Sequence, residues 1–153
     1  MLKLRVVAVG GIKESFYREA VEEYKKRLGR WAKVEILEVP EASSADNPEL
    51  KRSLESEGLL RGFKGKIVLL DVKGKRVTSE GIAEILEQSA LSGDSELTFV
   101  IGGSNGVAQS VKNKADLILS FGEITLPHQL FRVVLLEQLY RAEAILHGTP
   151  YHK

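Results

Sequence analysis

The sequence predicts an α/β domain built on a mainly parallel sheet with helices on both faces. Three observations carry this. Short runs rich in Val, Ile and Leu recur along the chain: LKLRVVAV, VEILEV, KIVLLDV, LTFVI and LILS. Helical patterns separate them, and the runs are too evenly apolar for strands wetted on one face, so both faces of the sheet are expected to be covered.

The elements follow in order. The opening run alternates and stops at Gly10-Gly11, which suits a strand and is too short for a membrane or signal segment. Glu14 to Leu28 places Phe16, Ala20, Tyr24 and Leu28 at four-residue intervals and predicts a helix. Pro40 to Asn47 reads as a polar surface loop. Asn47 is a cap residue and Pro48 a helix opener, so a second helix is expected to about Arg61, with Leu50, Leu54 and Leu60 as its apolar positions. Thr78 caps a third helix carrying Ile82, Ile85, Leu86 and Leu91, which Gly93 ends. A short fourth helix follows Gly106, and the fifth runs from about His128 to His147. No repeat or linker interrupts the series, so residues 1–153 are read as one domain.

Composition narrows the function. A chain of 153 residues buries roughly 70% of its unfolded surface and needs no staple to fold. It has no cysteine, which excludes thiol catalysis and cysteine-held metals and is compatible with a reducing cytoplasm. Twenty-two basic against 21 acidic side chains leave a net charge of +1, with no general attraction to nucleic acid. An RNA partner would have to be recognised by local shape.

Candidate site residues cluster in the last third. Gly102-Gly103-Ser104-Asn105-Gly106 joins a buried strand to a helix, the place where α/β sheets bind ligands. Its spacing is neither that of a dinucleotide fingerprint nor that of a P-loop, and a plain connecting turn is an equal reading of the motif alone. A second loop, Ser120 to His128, also follows a strand and is expected beside the first, the two forming a crevice. Pro127 holds Leu126 extended and directs the last helix. That helix is apolar around most of its circumference, which calls for cover on two sides, and a second copy of the chain is the simplest second cover. His128, Gln129, Arg132, Glu143 and His147 form a polar strip on one flank. Glu137 and Arg141 stand four apart among apolar residues, either as a structural ion pair or as part of a site. Beyond Gly148 and Pro150 the chain ends in Tyr151-His152-Lys153, which as a bare terminus would ordinarily be frayed.

Taken together, IGGSNG, LPHQ with its following helix, and the closing YHK closely resemble the C-terminal signature of the ribosomal large-subunit methyltransferase H family, and the likeness extends back to LKLRVVAVGGIKE. These are SPOUT-class enzymes that methylate N3 of a pseudouridine in bacterial 23S ribosomal RNA. The resemblance implies a C-terminal trefoil knot, contrary to ordinary topology. It implies S-adenosylmethionine as cofactor, held largely by main-chain groups at Leu70, Gly102, Phe121, Gly122, Glu123, Ile124, Thr125 and Leu126. Glu123 departs from the lysine or small residue common there, and its side chain is expected to face solvent. The doubly apolar last helix predicts a homodimer, across which the tail of one subunit is expected to reach the crevice of the other, and the near-zero net charge favours an assembled ribosome over free RNA as the substrate. His152 is the first candidate for removing the N3 proton, with Glu137, Tyr151 or water behind it. Arg132 and Arg141 are candidates to steady the developing anion or a phosphate, and Lys153 to meet RNA. No metal is expected. A SPOUT enzyme acting on another RNA, such as transfer RNA, and a non-enzymatic ribosome-binding module are the competing readings.

Overall fold

Every strand pairing in the structure is parallel, as expected when each strand is followed by a helix that returns the chain to the same edge. The structure is a computed structural model describing Met1–Lys153. The strands are β1 (Leu2–Val9), β2 (Ala32–Val39), β3 (Lys66–Arg76), β4 (Glu96–Ile101) and β5 (Leu117–Ser120). They form one sheet in the order β2-β1-β4-β3-β5. The helices are α1 (Ser15–Leu28), α2 (Pro48–Arg61), α3 (Ser79–Leu91), α4 (Gln109–Lys114) and α5 (His128–Leu146).

Alternate side chains of the central strands point to opposite faces, and each face builds a core. On one face Leu4, Val6, Val68, Leu97 and Phe99 pack with Val21 and Leu28 of α1, Leu86 of α3 and Leu135, Leu136 and Leu139 of α5. On the other, Val7, Val9, Leu69 and Val100 meet Leu59 of α2 and Val111 of α4. Each fully buried Leu or Phe contributes roughly 1.5–3 kcal/mol of transfer free energy. Local signals agree with the cores. The Asn47 side chain accepts from the Leu50 amide at 2.8 Å, and Thr78 from Gly81 at 2.9 Å.

The helical faces differ from the sequence reading in three places. Phe16 is 61% exposed although it sits in step with Leu28. Residues four apart turn about 40° beyond a full circle, so three such steps carry Phe16 about 120° away from the core-facing Leu28. In α2, Leu50 and Leu54 are exposed while Glu55 and Ser56 are buried. Those two polar side chains turn inward because each serves a loop amide: Glu55 accepts from Ala42 at 3.1 Å and Ser56 from Ala108 at 2.9 Å. Leu91 lies at the end of α3 and is 78% exposed.

Two members of the polar strip on α5 are buried. Arg132 is 1% exposed and Glu143 4%. The Arg132 guanidinium donates to Glu38 Oε2 at 2.6 Å and to the Gly10 carbonyl at 2.8 Å, pinning α5 to the C-terminal ends of β1 and β2. Glu143 carries its carboxyl above its usual pKa because burial disfavours the charged form, with His147 offsetting part of the rise. Arg132, expected to steady an anion or meet a phosphate, instead ties the fold together from within it.

Candidate active site: a strand-end crevice and an anchored tail

The two loops expected to lie side by side are separated by one strand, because β3 runs between β4 and β5. The end of β3 lies between the two loops and reaches both. Leu70 pairs with Ile101 on one side, next to Gly102, and with Leu119 on the other, just before Ser120 and Phe121. Lys75 also pairs with Leu119, so β3 bulges outward between Leu70 and Lys75 and then rejoins β5. The crevice is thus framed by Leu70, Gly102 and the loop from Phe121 to Leu126.

That loop is fixed at its root and open along its length. Phe121 stacks on Phe131 of α5 with ring centroids 5.4 Å apart, and the Gly122 amide donates to Ser120 Oγ at 3.1 Å. From Glu123 to Leu126 the main chain takes part in no backbone hydrogen bond. Glu123, Ile124 and Thr125 are exposed, so these main-chain groups face solvent and are free to meet a ligand in its place. Ile124 is 77% exposed, and Glu123 faces outward, 3.7 Å from Arg76. Gly102 has a second reason to be glycine: a Cβ there would lie 2.7 Å from Val107 Cγ1, inside the turn. A bulky residue would distort the turn as well as obstruct the crevice.

The tail is anchored. The Tyr151 hydroxyl donates to Glu137 Oε2 at 2.7 Å, and its ring lies edge-on to Tyr140 at 4.6 Å. Arg141 donates to the same carboxylate at 2.8 Å while its guanidinium sits 4.8 Å from the Tyr151 ring centroid. The Glu137–Arg141 pair is therefore both an ion pair along α5 and the grip on the tail. Arg141 also approaches His152 Nδ1 at 3.2 Å, and His152 Nε2 lies 2.7 Å from Glu80 Oε1 on α3. An arginine can only donate, so Nδ1 accepts, which leaves the proton on Nε2 facing Glu80. Lys153 is exposed.

These contacts sort the candidates for proton transfer. Burial and the Glu137 carboxylate hold the Tyr151 phenol well above its usual pKa, so it remains protonated at neutral pH and is no base. Partial burial alone would raise Glu137, but hydrogen bonds from Arg141 and Tyr151 outweigh it and leave the carboxyl below its usual value. A carboxylate so well supplied with donors is a weak base and a good orienter. His152 has the chemistry for the task but, in this arrangement, must leave Arg141 to expose its lone pair. Glu80 went unnoticed in the sequence because nothing local ties it to a residue 72 positions away.

Residues 2–152 match the family model described as "Predicted SPOUT methyltransferase". The chain belongs to the SPOUT methyltransferase family. Its similarity to individual members is full-length. Ribosomal RNA large subunit methyltransferase H of Streptococcus agalactiae serotype III (strain NEM316) is 42% identical over 159 residues, covering 99% of this chain and 100% of that protein. The protein of the same name from Clostridium botulinum (strain Okra / Type B1) is 45% identical over the same length and shares. Among solved structures, a "probable methylase family protein" from Haemophilus influenzae Rd KW20 matches with a TM-score of 0.57 at 11% identity, over 98% of this chain and 70% of that one. At that identity the match speaks to the SPOUT fold alone. No helix is long and apolar enough to cross a membrane.

Proposed function

We propose that this SPOUT methyltransferase methylates N3 of a pseudouridine in bacterial 23S ribosomal RNA, acting in the cytoplasm as a homodimer on the assembled ribosome, with S-adenosylmethionine as methyl donor and a knotted path at the crevice. The observation that carries the reading is the convergence of Glu137, Arg141, Tyr151 and His152 into one bonded cluster at the end of a chain whose full-length relatives bear a ribosomal RNA methyltransferase name.

The crevice fits the cofactor. The unbonded main chain from Glu123 to Leu126 suits the edge of an adenine, and Leu70 and Ile124 supply apolar contact. Bound there, S-adenosylmethionine supplies a methyl group activated by its sulfonium sulfur. What remains for the protein is to hold the acceptor in line and remove one proton from N3. His152, released from Arg141, accepts that proton at Nδ1. The freed Arg141 guanidinium then faces the charge developing on the base, while Glu137 keeps Arg141 and Tyr151 oriented. Lys153, exposed at the end of the chain, meets a phosphate. Half-buried Val133, Val134, Ile145 and Leu146 on α5 support pairing of two copies across this helix.

A loop variant tests the cofactor assignment. Thr125→Pro deletes one amide that has no partner within the chain, so the folded state loses no bond. Calorimetric affinity for S-adenosylmethionine is expected to fall about tenfold or more, as for loss of one well-placed hydrogen bond, with the melting temperature nearly unchanged. Undiminished affinity in the folded variant would remove this loop from the cofactor site.

A further inference from the structure

A polar cavity of about 200 Å³ opens on the β1 and β2 side of the glycine turn, whereas the crevice lies on its β3 and β5 side. Its polar lining comes from four separate segments: Glu41 after β2, Lys51 and Glu55 of α2, Ser104 and Asn105 of the turn, and His128 at the start of α5. Glu55 is the unusual member. Its residue is 5% exposed, its Oε2 accepts the Ala42 amide, and its Oε1 is buried with no partner at all. His128 Nδ1 is likewise buried and unpartnered. Gly103 keeps that oxygen accessible, because a Cβ there would lie 2.8 Å from Glu55 Oε1. An unmet buried acceptor is costly to hold, and one at the wall of a cavity takes its donor from whatever fills that cavity, water in the resting protein and a ligand's N–H when one displaces it.

The charges on the wall select the kind of ligand. Lys51 opposes a cation, and the two carboxylates oppose an anion. A neutral group with both donors and acceptors suits the wall, and a nucleobase is such a group. Ser104 and Asn105 can donate to its carbonyls while Glu55 accepts from a ring N–H.

We propose that this cavity receives the target base and that Glu55 Oε1 accepts the N1–H by which pseudouridine differs from uridine. The inference rests on the function proposed above. Pseudouridine is joined to its ribose through carbon, so N1 keeps a proton, whereas uridine offers only a C–H at the corresponding edge. A buried carboxylate facing a C–H is left unpaired, and sites built to hydrogen-bond a polar group reject analogues lacking it by large factors. N3 stands two ring positions from N1, so holding N1 at Glu55 leaves N3 free to face the adjoining crevice, where the tail that meets it comes from the second subunit: Arg141, which holds this chain's own His152, lies about 20 Å along α5 from His128 of the cavity.

Glu55→Gln tests the proposal with little change of shape. The Ala42 amide needs an acceptor, so the glutamine oxygen turns to it and the glutamine amide group faces the ligand, donor against donor. Methyl transfer would be measured on ribosomes carrying pseudouridine at the target and on ribosomes from cells lacking the synthase that makes it, which carry uridine there. The variant is expected to lose tenfold or more in kcat/KM on pseudouridine and little on uridine, with cofactor affinity unchanged. An equal loss on both, or no loss, would overturn the assignment. Wild-type protein inactive on both would instead remove the underlying function. Independently of that variant's folding, pseudouridine 5′-monophosphate added to wild-type protein is expected to shift the Ala42 and Ser104 amide resonances more than uridine 5′-monophosphate does, and identical responses would also overturn it.

Discussion

Deleting Tyr151, His152 and Lys153 is expected to abolish methyl transfer while the protein stays folded and binds its cofactor normally. The tail adds no residue to either core, and its removal costs the fold the Tyr151 hydrogen bond to the Glu137 carboxylate, the edge-on contact with Tyr140 and the His152 contacts, together about 2–3 kcal/mol. For a domain of this length that lowers the melting temperature by about 4–12 °C and leaves it folded. The penalty carries a pH signature. Glu137 is held below its usual value of 4.5 in the folded state, so its contribution is fully present above that value and fades as the pH falls through the lowered one. Activity should respond very differently. His152→Ala alone is expected to lower kcat by about 10²–10⁴, the usual worth of a positioned proton acceptor. The defect should shrink as pH rises and N3 gives up its proton with less help. Mixing tail-deleted subunits with subunits whose crevice is blocked tests whether the site is shared: recovery of activity in verified mixed dimers is expected, and its absence would confine each tail to its own chain. Full activity in the tail-deleted protein would end the catalytic assignment.

Glu38→Ala is expected to destabilise the fold by about 2–3 kcal/mol, less than for a fully buried pair because the Glu38 side chain is 48% exposed, yet a large part of the 5–15 kcal/mol that holds a typical domain together. Arg132 is the reason. Its guanidinium is 1% exposed, and without Glu38 it keeps only the Gly10 carbonyl while its Nε already lacks a partner. Desolvation of that charge would then go largely uncompensated. Adding Arg132→Met to Glu38→Ala removes the stranded charge and should recover much of the loss. Urea unfolding of the two variants measures both effects. A single-variant loss below about 1 kcal/mol, in the range of exposed pairs, would contradict the structural role given to Arg132.

What the sequence made legible was whatever depends on neighbours along the chain. Strand runs, the Asn47-Pro48 and Thr78 helix starts, the stop near Gly93 and the parallel sheet all follow from local chemistry and periodicity. What it hid depends on partners brought in from afar. A helix apolar around most of its circumference does not say which face turns inward, nor that Glu38, 94 residues away, waits there for Arg132. The insertion of β3 between β4 and β5 is a matter of strand order, on which apolar runs are silent. Glu55 carries no local signal on α2, where Leu50, Leu54 and Leu60 suggest a different inner face. The loop from Pro40 to Asn47, bland as a sequence, contributes Glu41 to the cavity wall. Within the tail, the residue types suggested chemistry, but their contacts became readable only from the geometry: Tyr151 donates to Glu137, and Arg141 and Glu80 flank the His152 ring to which the proposed function gives the role of base.

The most direct test of the central claim is methyl transfer from labelled S-adenosylmethionine to intact ribosomes, isolated large subunits and free ribosomal RNA, all from cells lacking this protein, with the product nucleoside identified by mass spectrometry. The expected result is label in intact ribosomes alone, as N3-methylpseudouridine in 23S RNA, and none with the His152→Ala protein. Label on another nucleoside, preferential methylation of free RNA or of transfer RNA, or no transfer by a protein that binds the cofactor would contradict the account.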